Sequence, residues 1–581
     1  MEWNLNAYYM GFEDKSFSED LEFIKTFRPK FTIVVEGLNE DKNLEEKFSK
    51  YINELSSFIS VYIKLASFAR LSITVNSRNS VAKKYLEQIT KCYDNIIDLI
   101  EIAEEVLCSL DFDTLFEKEK LLEFEYYINE IKKSREHKLS PSEEKMVSML
   151  SKSGSTAWLQ YKDEIISNMK IDFEGKKLPL STILTYAYSA DKALRKKSYE
   201  AELASYKSHE AGINAALNAI KGEAITISKL RGYESVLDMT INETRITIKT
   251  LDALISAIEK SLPAFRKYFI AKAKYLGNSK MHWYDMYAPT TETLEDVSYE
   301  KAKQIVLDAF KGYSADLHDF ALNAMNNSWI DVYPKEGKTS GAFCSSCKTI
   351  GESRILLNYG NSIGDVGTLA HELGHGYHAL CLKNEHLLNS NYPMVLAETA
   401  SNFCEIITKK YLLSIVDEDT KLAILETEIS DMAQVIVDIY SRFNFEKSFL
   451  EKREEGYVSV EETKQLMLDA QKIAYGDSFD PDFLHPYMWT WKPHYYNVKA
   501  NFYNYPYAFG ALFSKGLYSN YLNDKSSFIE NYNKLLASTG KNDVVDVCML
   551  ANIDVESVDF WTSALEVVVA DIEEFVNQLK M

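Results

Sequence analysis

Two histidines four residues apart, with a glutamate directly after the first, form the segment His371-Glu372-Leu373-Gly374-His375. On a helix, positions i and i+4 differ by about 400° of rotation, so both imidazoles project from one face a single turn apart. That spacing suits two ligands of a tetrahedral zinc at about 2.0–2.1 Å. Glu372 lies about 100° round the helix. There it flanks the metal, where a carboxylate can take a proton from a zinc-activated water and pass it to a leaving amine.

Zinc chemistry needs a third protein ligand and one open position. Downstream, His378, Glu385, His386 and Glu398 are the candidates. His378 sits at i+3 from His375, so a further helical turn carries it past the metal; it reads as a contact to substrate or to a ligand. A metzincin would place its third histidine at position 381 and a glycine at 378. This chain has Cys381 and His378 there, which excludes that pattern. Glu398 lies in Met394–Glu405, which reads as a second helix after the turn Asn391-Tyr392-Pro393, and from there it closes a His/His/Glu set. Glu405, at i+7, faces the same side and can orient a ligand histidine.

The elements that must hold these groups are mostly helical. The helix of the motif has Asp365 near its start and an apolar line of Val366, Leu369 and Leu373 to bury. Earlier, Phe17, Leu21, Ile24 and Phe27 recur at helical spacing, as do Tyr85, Ile96, Leu99, Ile100 and Leu107. Ser140-Pro141-Ser142-Glu143 offers an N-cap, a proline in the first turn and an acid three residues on. Helical pattern also fills 185–275 and 298–326, with Gly277-Asn278-Ser279 as a break. The interval 333–364 differs: Gly, Ser and Thr cluster there, and Arg354–Tyr359 is the best strand candidate. That strand reads either as an edge that pairs with a substrate backbone or as part of a small sheet.

The chain has 581 residues, with 46% hydrophobic and 26% charged side chains and few Gly (22) and Pro (11), an ordinary globular balance that favours helix. Lys and Arg number 65 against 86 Asp and Glu, a net charge of −21 that disfavours nucleic-acid or anionic-membrane partners. The opening Met1-Glu2-Trp3-Asn4-Leu5 has neither basic n-region nor apolar h-region, and Ala564–Ala570 is too short to span a bilayer. With seven scattered cysteines, the expectation is a cytoplasmic protein. Cys344-Ser345-Ser346-Cys347 has no second ligand pair for a separate metal site, which leaves a labile disulfide as its chemical reading. Lys338 lacks the earlier glycine of a phosphate loop, since that position is Val332. Three regions are expected: an N-terminal helical region 1–110, a helical connection 111–190 and a catalytic region 191–581.

The stretch Asp365 to His378 resembles the thimet-oligopeptidase-like zinc metallopeptidases, specifically the oligoendopeptidase F branch. Gly337-Lys338-Thr339-Ser340-Gly341-Ala342-Phe343-Cys344 is similar to that family's glycine-rich segment. Leu396-Ala397-Glu398-Thr399-Ala400-Ser401 is similar to its third-ligand helix. His494-Tyr495-Tyr496, followed by Phe502 to Gly510, is similar to its carboxy-terminal His/Tyr segment. The resemblance covers roughly 140–575. It implies a mainly α fold of the gluzincin type, a large helical ellipsoid with a deep central channel and a small active-site β-sheet. It also implies an endopeptidase of short unstructured oligopeptides.

Residue by residue, the resemblance makes His371, His375 and Glu398 the ligands of one Zn2+ per chain and Glu372 the general base. It makes His494 and Tyr507 donors to the scissile carbonyl and its oxyanion, and it places Tyr503, Tyr505, Gly341 and Ala342, together with His378, in contact with substrate. A metallo-exopeptidase of the same fold and an inactive peptide-binding scaffold are the competing readings. The intact His371, Glu372, His375, Glu398 and His494 argue against the scaffold.

Overall fold

Local signals set most of the element boundaries. In a computed structural model of the chain, which describes residues 2–39, 43–110, 112, 119–290, 296–497 and 500–579, Ser140 and Glu143 form the expected capping box. Ser362 and Asp365 form another at the start of the motif helix. The expected regional boundary at residue 111 lies outside the described residues. The periodic stretch from Tyr85 to Leu107 is two helices, Ser80–Asp94 and Ile97–Ser109, divided at Asn95.

The main helices are α1 (Lys15–Gly37), α2 (Leu44–Val75), α3 (Glu210–Leu230), α4 (Ile248–Tyr275), α5 (Ile363–Cys381), α6 (Thr399–Leu413), α7 (Ile439–Glu455), α8 (Tyr505–Asn523) and α9 (Val558–Gln578). The described strands are short: β1 (Lys170–Phe173), β2 (Lys176–Pro179), β3 (Ile330–Asp331), β4 (Phe343–Cys347) and β5 (Glu352–Leu356). The expected mainly α fold with a small sheet is what the structure has.

The chain divides into two units. Unit 1 comprises Met1–Glu136, Glu295–Ser414 and Asp524–Ala551. Its N-terminal core is built by α1 and α2, where Phe17, Leu21, Ile24, Phe27 and Phe31 pack with Phe48, Tyr51, Leu55 and Phe58. By length and composition α2 is apolar enough to cross a membrane, but ten of its residues are buried against neighbours. Cys347 of β4 and Leu356 of β5 join the same cluster. The sheet order is β3-β5-β4, with β3 parallel and β4 antiparallel to β5. The strand expected at Arg354–Tyr359 is therefore the central one, and β3 and β4 are the two edges.

Two glycines let α5 pack at van der Waals limits within this unit. A Cβ on Gly374 would stand 2.5 Å from the Ala400 carbonyl oxygen and 2.6 Å from Ser401 Cα, both on α6. A Cβ on Gly376 would meet the Phe320 ring at 2.6 Å.

Unit 2 comprises His137–Leu294, Ile415–Asn523 and Asn552–Met581. Here α4 and α8 pack against α9, α3 packs against α7, and β1 and β2 form an antiparallel hairpin. Two buried Lys–Glu pairs, Lys272–Glu426 at 2.7 Å and Lys515–Glu428 at 2.8 Å, join helix to helix in its interior.

The contact at Gly374 yields a stability prediction. Gly374→Ala forces backbone apart between α5 and α6, where no flexible side-chain end can give way. It is expected to cost about 1–3 kcal/mol, measured by denaturant unfolding against the same change at Gly367, where a Cβ meets open space.

Candidate metal centre

α5 presents His371 and His375 on one face, as the i, i+4 spacing requires. Their Nε2 atoms lie 3.2 Å apart. The expected second helix is interrupted: Met394–Ala397 ends at Glu398, which takes φ −91°, ψ 5° and caps α6. This break turns the Glu398 carboxylate toward α5, with Oε2 at 3.2 Å from His371 Nε2 and 3.5 Å from His375 Nε2. The three donor atoms thus form a triangle with sides of 3.2, 3.2 and 3.5 Å. Ligands at about 2.0–2.1 Å from a tetrahedral zinc are separated by about 3.3–3.4 Å, so the donor set fits that ion. Among the described residues it is the group of three or more His, Cys, Asp or Glu donors close enough to hold a metal.

The supporting contacts are in place. Glu405 Oε1 lies 3.2 Å from His371 Nδ1, so it can fix the ring as the i+7 spacing anticipated. Ser401 Oγ donates to Glu398 Oε2 at 2.9 Å. Burial opposes charge on His371, but hydrogen bonds to Glu398 and Glu405 outweigh it and hold the imidazolium up to about 10. Burial also opposes charge on Glu398, yet His371 and His375 hold its carboxyl down at about 2. His375 moves the other way, lowered by burial.

Glu372 is buried, lines the same cavity, and its Oε2 has no hydrogen-bond partner. Burial, reinforced by Glu398 and Glu405 and opposed by His371, pushes its carboxyl up to about 7. An orphaned carboxylate oxygen beside a metal-ligand triangle is a group placed to exchange protons.

The cavity measures about 1330 Å³ and belongs wholly to unit 1. Its walls include Phe343, Cys344 and Ser346 of the β4 edge, and Ile59 and Ile63 of α2. The α2 pair escapes sequence reading because nothing in its spacing refers to the motif some three hundred residues later; only its i, i+4 apolar face could have flagged it.

Other expected site residues fall as follows. Ala342 lines the cavity, preceded by Gly341 at φ 81°, which favours glycine. Lys338, set aside as a phosphate ligand, anchors this loop through Asp331 at 2.6 Å. His378 is not at the cavity: it is wholly buried, stacked on Tyr392 at 4.2 Å with Nε2 2.9 Å from Thr539 Oγ1. That burial corrects the reading of His378 as a substrate contact, and it lowers the ring to about 3. Cys344 and Cys347 are both free. Three steps along a strand put them about 10 Å apart, beyond the ~7 Å reach of a disulfide, which corrects the expectation of a labile bridge.

In unit 2, His494, Tyr503 and Tyr507 gather as three half-exposed rings with centroids 5.9–6.0 Å apart. Tyr505 does not join them. It is buried, its hydroxyl 2.6 Å from Thr244 Oγ1, so it is a packing residue here and not a substrate contact. The segment is also no extended wall, because Tyr505 opens α8 with Pro506 in its first turn.

The profile of Peptidase family M3 matches residues 185–567, and that of Oligopeptidase F matches 110–171. The chain belongs to peptidase family M3, a family of metallo-oligopeptidases, and is a peptidase. Within the family its similarity is to oligoendopeptidase F. It is 24% identical to Oligopeptidase PepF of Bacillus subtilis, covering 89% of this chain and 79% of that protein. It is 25% identical to the Oligoendopeptidase F homolog of Borreliella burgdorferi, covering 93% and 92%. A solved structure from Chlamydophila abortus superposes with a TM-score of 0.88 at 22% identity over 99% and 98% of the two chains. Oligoendopeptidase-F of Enterococcus faecium gives 0.65 at 20% over 97% and 98%. At these identities the solved structures establish the shared helical fold.

Two outcomes follow from the donor geometry. Because Glu398 and Glu405 raise His371 above its ordinary value and zinc binds only the neutral imidazole, zinc uptake is expected to release a proton and to weaken as pH falls; calorimetry in buffers of different ionisation enthalpy measures the release. Glu405→Ala is expected to lower zinc affinity about 10–100-fold, read by competition with a chromogenic chelator.

Proposed function

We propose that the chain is a zinc-dependent endopeptidase of short, unstructured oligopeptides, with one Zn2+ held by His371, His375 and Glu398. The observation that carries this reading is the donor triangle with the unpartnered carboxylate of Glu372 beside it, in one cavity. Zinc held there would supply Lewis acidity, polarising a scissile carbonyl and making a water acidic enough to attack at neutral pH.

Glu372 takes the proton of the attacking water on its free oxygen and returns it to the leaving amine. Its raised carboxyl in the metal-free chain reflects burial near two other carboxylates, and a divalent cation alongside would favour the ionised, proton-accepting form. The substrate lies along β4, whose edge is free in the sheet and whose Phe343, Cys344 and Ser346 line the cavity. Edge pairing takes an extended main chain and rejects a folded one. Ala342 stands at the end of that edge. The assignment of His494 and Tyr507 as donors to the developing oxyanion, with Tyr503 beside them, rests on the family resemblance. The seven free cysteines fit a reducing compartment such as the cytoplasm.

Mass spectrometry of an unstructured peptide mixture, with chelator and after zinc is restored, tests the reading. Internal cuts that vanish and return are expected; trimming confined to termini would favour an exopeptidase, and no cleavage by zinc-loaded protein would favour a peptide-binding scaffold. Glu372→Gln is expected to keep its metal and lose turnover, and full activity in that variant would remove its role as base. Tyr507→Phe is expected to lower kcat by about 10²–10³, whereas a change in KM alone would make Tyr507 a packing residue.

A further inference from the structure

We infer that the buried ion pair Lys221–Glu446 in unit 2 is a positioning device that holds the segment Asn501–Tyr507 so that Tyr503 and Tyr507 face outward beside His494. The inference rests on the proposed role of Tyr507 at the substrate carbonyl.

Lys221 of α3 and Glu446 of α7 are each 1% exposed, with Nζ and Oε1 2.5 Å apart. Beyond joining two helices, this pair hydrogen-bonds a non-helical segment. Lys221 Nζ donates to Asn501 Oδ1 at 3.0 Å, and Glu446 Oε1 accepts the Phe502 backbone N–H at 3.0 Å. α7 adds an apolar clasp, with Phe443 against the Phe502 ring at 5.4 Å and Phe445 against Tyr495 at 5.0 Å. One helix thus backs both the His494 turn and the tyrosine segment.

The segment needs such a hold, because its conformation is costly. Phe502 takes φ 49°, a left-handed backbone that a bulky side chain rarely adopts. Asn504 is 1% exposed, and neither atom of its side-chain amide has a hydrogen-bond partner. The result is an alternation in which Phe502, Asn504 and Tyr505 are buried while Tyr503 and Tyr507 remain half-exposed. Without the tether, the segment has cheaper conformations in which Phe502 leaves the left-handed region and the aromatic facing is lost. A pair kept only for stability would be replaceable by apolar residues of similar volume at little cost. A pair kept for position would not.

The test compares Lys221→Met/Glu446→Leu with a control, Lys272→Met/Glu426→Leu, on an internally quenched unstructured peptide. In the folded first variant, kcat is expected to fall about as far as in Tyr507→Phe, by about 10²–10³, with KM within about twofold. Adding Tyr507→Phe to it is expected to cost little more, and amide exchange over 500–507 is expected to rise. The control should change neither rate nor exchange there. Unchanged kcat, or losses that multiply with Tyr507→Phe, would overturn the inference.

If the apolar pair does not fold, two single variants decide. Glu446→Gln keeps an acceptor for Phe502 and is expected to retain most of the rate, while Asn501→Ala is expected to lose part of it and raise exchange; the reverse order would overturn the tether. Wild-type kcat in Tyr507→Phe together with raised exchange in the pair variant would instead fault the assignment of Tyr507 and leave the tether standing.

Discussion

The candidate metal centre depends on one close approach between two backbones. Gly374, in the middle of the His371–His375 turn, lies against Ala400 and Ser401 with no space for a Cβ. Only at that separation does the Glu398 carboxylate reach the two imidazoles, since it extends from the residue that caps α6 and has a short side chain to span the gap. Any larger residue at 374 would move the third donor away from the first two. The glycine inside the motif is as much a part of the site as the groups that carry charge.

Electrostatics explain why so many acids surround two histidines. Glu372, Glu398 and Glu405 converge on His371 and His375; hydrogen bonds to Glu398 and Glu405 raise His371, and burial, helped by the two acids, raises Glu372. A pocket that gathers three carboxylates around two imidazoles is one suited to a divalent cation. The position of Glu372 is consistent with this division: it has a buried oxygen with no hydrogen-bond partner, whereas Glu398 Oε2 and Glu405 Oε1 are engaged with the imidazoles.

Unit 2 shows the same economy with a different device. Three rings, His494, Tyr503 and Tyr507, stay half-exposed because the residues between them are drawn inside. Burying Phe502 and Asn504 requires a strained backbone and an unsatisfied amide, and the charges of Lys221 and Glu446 offset part of that cost through directed hydrogen bonds.

Much of this was legible in the sequence, and for local reasons. The i, i+4 histidines, the capping boxes at Ser140 and Ser362, and the apolar line of α1 are set by residues within a turn or two of each other. Glu405 was identifiable as a neighbour of the site from its spacing to Glu398, although Glu398 itself caps the helix and does not lie within it. What tertiary structure alone decided was non-local. The break at Glu398 that aims its carboxylate, the burial of His378 against Tyr392 and Thr539, and the choice of β4 over β5 as an edge strand all follow from partners distant in the chain. So do the entry of Ile59 and Ile63 into the cavity wall and the pairing of Lys221 with Glu446. Spacing along a helix determines which residues share a face; which face meets which is settled by packing, where a missing Cβ or a buried charge selects one arrangement among many that the sequence pattern allows.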